Sequence, residues 1–462
     1  MKTIVDPNET LSLGLQAIRL QFQVPETFPS DVLAAADIAA KRVPTEHVDR
    51  TSVPFVTLDP ATSTDLDQAF AIEASGADLL LHYAIADVCW FVDDGGVIDA
   101  EAWRRGTTRY LPDGKAGLYP RILSENVASL LPDGPRPAVI FTVRVASDGS
   151  VTLDGVERAI ILSRAKLAYD SVCADQLPDR FEDLAGRIQA AEGRRGASRI
   201  DPPEQEVSKD DNGRFTLSFR PRLLSEVRNA AMSLATNLAV ADALLANHTG
   251  LFRVMAEPDE RAISRLRHSA TAFGLAWPDA MSLTQFETTL SASIANQAAF
   301  MLAIRRAGMG ASYVPYQPGI VPWHTAMAAS YAHATAPLRR LADRYVVRAA
   351  LAVANGQSVP DFVTNAFAKL PAVMAAADMR AGQIERAVID LAEASMLRGM
   401  EGTLIPAVVT DVNERAVRIQ LRDMPVVVTI SPTSVIPGDS IVVKLTSVDV
   451  DARKASFALA LS

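Results

Sequence analysis

The sequence predicts an α+β protein, a large mixed α/β unit led in by a short helical segment and followed by a small five-stranded β-barrel. Three observations predict it. β-rich runs fill the stretch from residue 51 to about 175, Ala/Leu-rich helical stretches fill about 176 to 399, and the last 65 or so residues return to short alternating strands. Over 462 residues, 49% are hydrophobic and 21% charged, which supplies packed cores rather than disorder.

In chain order, residues 1–50 hold two helical patterns, "ETLSLGLQAIRLQF" and "PSDVLAAADIAAKRV", parted by the proline-marked break "VPETFP". Residues 51–397 form the large unit. Its first half has strands such as "DLLLHYAIADV", "AVIFTVRVAS" and "GVERAIILS" between the turns "VDDGG", "LPDG" and "SDGS". Its second half is mostly helix, with the polar "DPPEQEVSKDDNG" as a loop before one short β pair. No obvious linker divides the halves, so they read as one unit. In residues 398–462 the five runs "TLIPAVVTDV", "RAVRIQLR", "PVVVTI", "SIVVKLTSVD" and "RKASFALA" have the longer "SPTSVIPGD" between the third and fourth, the layout of an oligonucleotide-binding (OB) barrel. The pattern alone leaves open whether it binds or only packs.

Composition narrows the function. Cys89 and Cys173 are too few for a disulfide framework or a cysteine zinc site, and reduced thiols are expected. The N-terminus lacks the layout of a secretory signal and the apolar stretches carry Asp, Asn or His, so the expectation is a cytoplasmic protein without a membrane span. A net charge of −9 counts mildly against a polyanion partner, but the local field matters more, and "PLRRLADRYVVR" sets Arg339, Arg340, Arg344 and Arg348 against Asp343. A basic patch on an acidic protein is allowed there.

The chemistry concentrates in "VPFVTLDPATSTDLDQAFAIE", residues 53 to 73. "VPFVTLD" reads as a buried strand that delivers Asp59, and "PATST" as a loop into a second strand over "DLDQAFAI", on which Asp65 and Asp67 share a face and Gln68 points away. Oxygen ligands without His or Cys suit Mg²⁺, with Mn²⁺ as the alternative ion. Asp and Thr capping turns in a solvated loop would explain the same residues.

The string "TLDPATSTDLDQAF" resembles the signature of the RNase II (RNB) family of exoribonucleases, which has aspartates at the positions of Asp59, Asp65 and Asp67 and usually a fourth at Gln68. Four further blocks are similar in order: "HYAIADVCWFVDDGGVIDAEAWRRGTTRYLP", "LYPRILSENVASLLPDGPRPAVIFTV", "LFRVMAEPDE" and "YAHATAPLRRLADRYVVR". The resemblance spans about residues 28 to 395, and the last barrel resembles the family's S1-type RNA-binding barrel. Only about 27 residues lie ahead of it, too few for the two cold-shock barrels that precede the family's catalytic domain.

The resemblance implies processive 3′→5′ hydrolysis of single-stranded RNA to nucleoside 5′-monophosphates, by a monomer. It implies Asp59, Asp65, Asp67 and Gln68 around the metal and Arg339, from the family's "TSPIR" block, on the scissile phosphate, where Pro337 is expected to start a helix. Tyr110 and Tyr169 fall where the family stacks bases, and Arg340 is expected to contact the RNA backbone or to form a surface salt bridge. Departures stand beside these matches. Gln68 offers a carbonyl but no charge, Ala336 replaces a serine, and Arg228 and Asn229 stand where the family has glutamates. A second base-clamping aromatic cannot be placed in "GRRGASRIDPPEQEVSKDDNGRF". An active exoribonuclease is the favoured reading. An RNA-binding protein with a decayed site is its rival, and a metal-dependent phosphoesterase for small substrates is a third.

Overall fold

The computed structural model describes residues 2–3, 10–197, 204–209, 215–220, 222–291, 294–308, 310–412 and 416–460. A seven-stranded sheet organises the large unit. Its strands are β1 (Val48–Asp49), β2 (Phe55–Asp59), β3 (Gln68–Ser75), β4 (Asp78–Ala86), β5 (Arg136–Val145), β6 (Val151–Ile161) and β7 (Ser163–Ala168), in the order β7-β2-β3-β4-β5-β6-β1. The four pairs from β2 to β6 are antiparallel, and β7 and β1 add in parallel at the two edges. β5 reads "RPAVIFTVRV" and is buried over most of its length, which suits a strand covered on both faces.

The helices Leu224–Ala246 and Leu341–Ala354 pack on this sheet, and Phe181–Arg195 packs against the first of them. Leu224–Ala246 is long and apolar enough to cross a membrane, yet 67% of its most apolar window is buried inside the protein, where Ala231, Leu234, Leu238 and Leu244 join the core of the large sheet. A second sheet, absent from the sequence reading, is built from Leu251–Met255, Ala311–Pro315, Trp323–His324 and Ala329–Ser330. Its strands are too short or too separated to show as alternating runs. The helices between its first two strands enclose their own apolar cluster around Phe273, Phe286 and Phe300, with Trp277 stacked on Phe286 at 5.1 Å.

The N-terminal helix Thr10–Gln21 lies on the 37-residue helix Asp361–Leu397, and Leu11, Leu15 and Ile18 meet Ile384, Val388 and Leu391 there. The same cluster takes Leu111 and Ala116 from the hairpin Arg109–Leu111/Gly114–Ala116. That hairpin faces the acidic loop, so the helical lead-in braces it. Gly106, at the hairpin's approach, has φ +71°, and a Cβ there would meet the Ala377 side chain at 2.8 Å. Only glycine fits.

The C-terminal segment is a nearly closed antiparallel barrel in the order Val427–Ile430, Val417–Leu421, Leu404–Val412, Ser440–Asp449, Lys454–Leu459. Val417, Ile419 and Leu421 alternate into its core, and Leu397 closes it from the long helix. Glu393 of that helix accepts hydrogen bonds from the Val427 amide (2.8 Å) and Gln205 Nε2 (2.6 Å). Burial pushes its carboxyl up to about 7.

Candidate active site

The acidic loop leaves the sheet at Asp59 and returns at Gln68, where β3 begins. Asp65 and Asp67 therefore lie in the loop and not on the strand expected over "DLDQAFAI". The reason is local. Leu66 is fully buried, its amide donates to Ser129 Oγ (2.9 Å) and its carbonyl accepts from the Leu130 amide (3.0 Å), so this stretch is fastened to a neighbouring loop instead of a strand.

Freed from strand alternation, the two aspartates face different partners. The Asp65 carboxylate accepts from Tyr110 Oη (2.8 Å) and from Lys115 Nζ (2.6 Å). Asp67, 4% exposed, accepts from the Leu338 amide (2.7 Å) and from Arg339 Nε (3.2 Å). Asp59 accepts no side-chain hydrogen bond from the described residues. Burial, reinforced by the charges of Asp67 and Asp65, raises its carboxyl to about 7 against the pull of Arg339 and Lys166. Burial likewise raises Asp67 to about 7, against Arg339 and the Leu338 amide.

Gln68 is fastened at both ends of its amide. Nε2 donates to the Thr335 carbonyl, and Oε1 accepts from Tyr83 Oη (3.3 Å), which also bonds Ser233 Oγ (2.6 Å). The glutamine ties β3 to the Thr335 loop and to the helix Leu224–Ala246.

The arginine run does not form the basic patch its sequence allows, because three of its four arginines are taken up by salt bridges. Arg340 donates twice to Asp343 (2.9 and 2.6 Å), Arg344 is fully buried against Asp99, and Arg348 pairs with Asp94 (2.7 Å). The helix begins at Leu341 rather than at Pro337, so Arg339 sits in the preceding turn. There its backbone is pinned by Thr107 and Thr108 (2.7 and 3.0 Å to its carbonyl), while the side chain stays 44% exposed and, among the described residues, commits only Nε, to Asp67. Ala336 is fully buried, and its amide donates to Asp343 (2.8 Å).

Both tyrosines line the site. Ala168 pairs with Asp59 across the parallel β7/β2 ladder, which sets Tyr169 immediately beyond the aspartate, its amide on the Asp59 carbonyl (3.2 Å). Asn229 holds the Tyr169 hydroxyl (2.9 Å) and the Leu58 carbonyl (3.2 Å), and Arg228 pairs with Glu182. Tyr110 is 57% exposed as a residue while its hydroxyl reaches Asp65. Part of the stretch searched for a second aromatic, residues 198–203 and 210–214, lies outside the described residues.

Sequence reasoning missed Lys115 and gave Asn229 no role. The "LPDG" turn held a signal for the lysine, since a tight turn there puts Tyr110 and Lys115 opposite each other on one face of a hairpin.

Two cavities meet at this point. One, of about 1290 Å³, is lined by Asp59, Asp65, Asp67, Tyr110 and Lys115, and the other, of about 900 Å³, by Asn229, Arg267, Trp277 and Arg340. Gln68, Tyr169 and Arg339 line both.

For a divalent ion the donor set fits in part. Among the described residues no three carboxylate, histidine or cysteine side chains converge as one metal-holding group. The pair Asp59 and Asp67 suits an ion, since the Asp59 carboxylate has no hydrogen-bond donor among the described residues and is repelled by the charge of Asp67, which a cation would reconcile. Asp65 and Gln68 are engaged elsewhere.

Comparison with known proteins agrees with this architecture. The RNB domain model matches residues 47–355, and the RNase II-type exonuclease C-terminal S1 domain model matches residues 405–460. Ribonuclease R of Aquifex aeolicus is 26% identical over 446 residues, 89% of this chain and 62% of the relative. Exoribonuclease 2 of Yersinia enterocolitica is 39% identical over 129 residues, 28% of this chain and 20% of the relative. The chain thus spans less than two thirds of the length of these relatives. The solved structure of Mycoplasma genitalium RNase R in complex with ribose methylated single-stranded RNA has the same fold, with a TM-score of 0.87 at 20% identity, covering 100% of this chain and 79% of that one. With the RNB domain model covering more than half the sequence and its barrel matched by the companion model, the chain belongs to the RNB-domain family of RNase II-type proteins.

Proposed function

We propose that the chain is a metal-dependent exoribonuclease that degrades single-stranded RNA processively from the 3′ end to nucleoside 5′-monophosphates and a short end product. The observation that carries the reading is the meeting of Asp59, Asp67 and Arg339, from segments some 270 residues apart, where two cavities join. The names of its relatives support it, as does the single-stranded RNA held by the Mycoplasma protein.

Asp59 and Asp67 would hold Mg²⁺ or Mn²⁺, which when bound supplies Lewis-acid activation of water and charge stabilisation at the phosphate. The chain's own groups do the rest. Arg339 has its terminal nitrogens available beside the carboxylates, where a guanidinium fork can take two phosphate oxygens as charge develops on them. Tyr110 offers an exposed face and Tyr169 a fixed one, and stacking is indifferent to sequence. Cavities on both sides of Arg339 give a strand room to pass.

A 5′-labelled single-stranded RNA of about 30 nucleotides, longer than the roughly 4 to 16 that one OB barrel covers, tests this. In Mn²⁺ or Mg²⁺ it should collapse to one short product without long intermediates, and chelator or Asp59→Asn should abolish the reaction. That variant removes charge without removing a hydrogen-bonded partner. Intact RNA that still shifts on a native gel would replace this reading with its rival, an RNA-binding protein with a disabled site. The commitment of the Gln68 amide to Thr335 and Tyr83 is the observation in the rival's favour.

A further inference from the structure

The acidic site contains a cation of its own. Lys115 Nζ lies 2.6 Å from Asp65 Oδ1, 3.3 Å from Thr64 Oγ1 and 3.4 Å from Glu125 Oε1. Its three donors thus meet three oxygens, two of them on carboxylates. The enclosure is tight, with the Lys115, Asp65 and Glu125 side chains 21%, 7% and 12% exposed. The other Asp65 oxygen is taken by Tyr110, the residue opposite Lys115 in the hairpin. The hairpin is rigidly held. Leu111 and Ala116 are buried against the N-terminal helix and the helix Asp361–Leu397, and Arg19 makes a two-pronged bond to Asp113 at the turn (3.1 and 2.7 Å).

We propose that Lys115 stands in for a second divalent ion, so that this site takes a single ion at Asp59 and Asp67 while a tethered ammonium neutralises Asp65. The inference rests on the reading that the site holds a divalent ion, and it assigns Lys115 as a positioning residue. Two independent features agree with it. A dication placed on Asp65 would lie against an ammonium already in contact with the same carboxylate, which repels it. The donor that would complete a second cage, the residue at position 68, is an uncharged amide already bonded at both ends. Arg339 differs from Lys115 in this respect. At 3.2 Å from Asp67 and 44% exposed, it is a diffuse charge at a cavity wall and can turn toward a phosphate without leaving the site.

The test counts ions. Titration of the full chain with Mn²⁺, free Mn²⁺ being read by electron paramagnetic resonance, should show one tight site. Gln68→Asp alone should keep one, because Lys115 remains. Lys115→Gln combined with Gln68→Asp should bind two, and Lys115→Arg combined with Gln68→Asp should return to one, a reversal that a merely structural lysine would not produce. Two tight sites in the unaltered protein, none, or an unchanged single site in a folded Lys115→Gln/Gln68→Asp protein would overturn the proposal. If that double variant fails to fold, the count in the unaltered protein and in Gln68→Asp still decides. RNA cleavage is scored separately. Cleavage by a protein that binds two ions overturns the one-ion count and leaves the nuclease reading, whereas one ion without cleavage does the reverse.

Discussion

Gln68→Asp restores the acid that the family usually carries, yet the structure makes it a damaging change when no ion is present. The Gln68 amide donates to the Thr335 carbonyl and accepts from Tyr83, and Thr335 is 3% exposed. An aspartate is one methylene shorter and, ionised, has no proton to donate. The loss is a hydrogen bond of about 1 kcal/mol, and a buried carbonyl left unpaired adds about 1–3 kcal/mol. A further negative charge beside Asp59 and Asp67 acts in the same direction. The variant should therefore be destabilised by about 2–4 kcal/mol in chelator. Mn²⁺ should restore more stability to it than to the unaltered protein, because an ion at about 100 times its dissociation constant contributes roughly 2.7 kcal/mol and binds a more acidic site more tightly. Thermal unfolding in chelator and in Mn²⁺ measures both quantities. Equal melting of the two proteins in chelator would refute the reasoning, for it would mean that the amide's bonds hold nothing in place.

Two further outcomes are expected. Glu393 has its folded pKa raised from 4.5 to about 7 by burial, so its contribution to stability is complete below pH 4.5 and is lost as pH rises toward 7; Glu393→Gln should melt higher than the unaltered protein at pH 8, by an effect of about 3 kcal/mol, and lose that advantage near pH 4.5. Thermal unfolding of both proteins across this window checks it, and parallel pH profiles would count against it. Asn229→Ala releases the Tyr169 hydroxyl, and if the ring stacks a base, the loss of about 1 kcal/mol should raise KM for short RNA roughly fivefold with a smaller change in kcat. Steady-state kinetics on a short single-stranded RNA measure the split.

Sheet, helices and terminal barrel were legible in the sequence because each is long or repeated enough to impose a period on it. The β5 run "AVIFTV" and the alternating Val417, Ile419 and Leu421 are of this kind. The second sheet was not legible, since Trp323–His324 and Ala329–Ser330 are two-residue strands and Ala311–Pro315 is more than 50 residues from its partner Leu251–Met255. Within the candidate site, the motif singled out Asp59, Asp67 and Arg339 but could not name the partners the fold brings to them. Strand periodicity misplaced Asp65 because the fixation of Leu66 by Ser129 and Leu130 is tertiary. For the same reason a count of charges along "PLRRLADRYVVR" could not reveal that Asp99 and Asp94, more than 240 residues upstream, neutralise Arg344 and Arg348. Local sequence states which charges exist, and only the fold states which are free.

That distinction bears on why Gln68 and Lys115 belong together. Counted in their ionised forms, Asp59, Asp65 and Asp67 oppose the two site cations Lys115 and Arg339, which leaves one net negative charge. Glu125 is matched by Arg121 at 3.1 Å, and Lys166 is held on the Ala61 carbonyl at 2.8 Å, so neither alters a comparison between variants. One divalent ion brings the group to a single positive charge, whereas two would bring it to three. With aspartate at 68 and no lysine at 115, four carboxylates would oppose Arg339 alone, and two divalent ions would be needed to reach the same single positive charge. Each departure thus removes one unit of negative charge, and together they remove the charge of one divalent ion. On this argument Gln68 does not mark decay by itself. It is one half of an exchange whose other half is an ammonium on the facing hairpin, and a site built this way should respond to Mn²⁺ with one binding event rather than two.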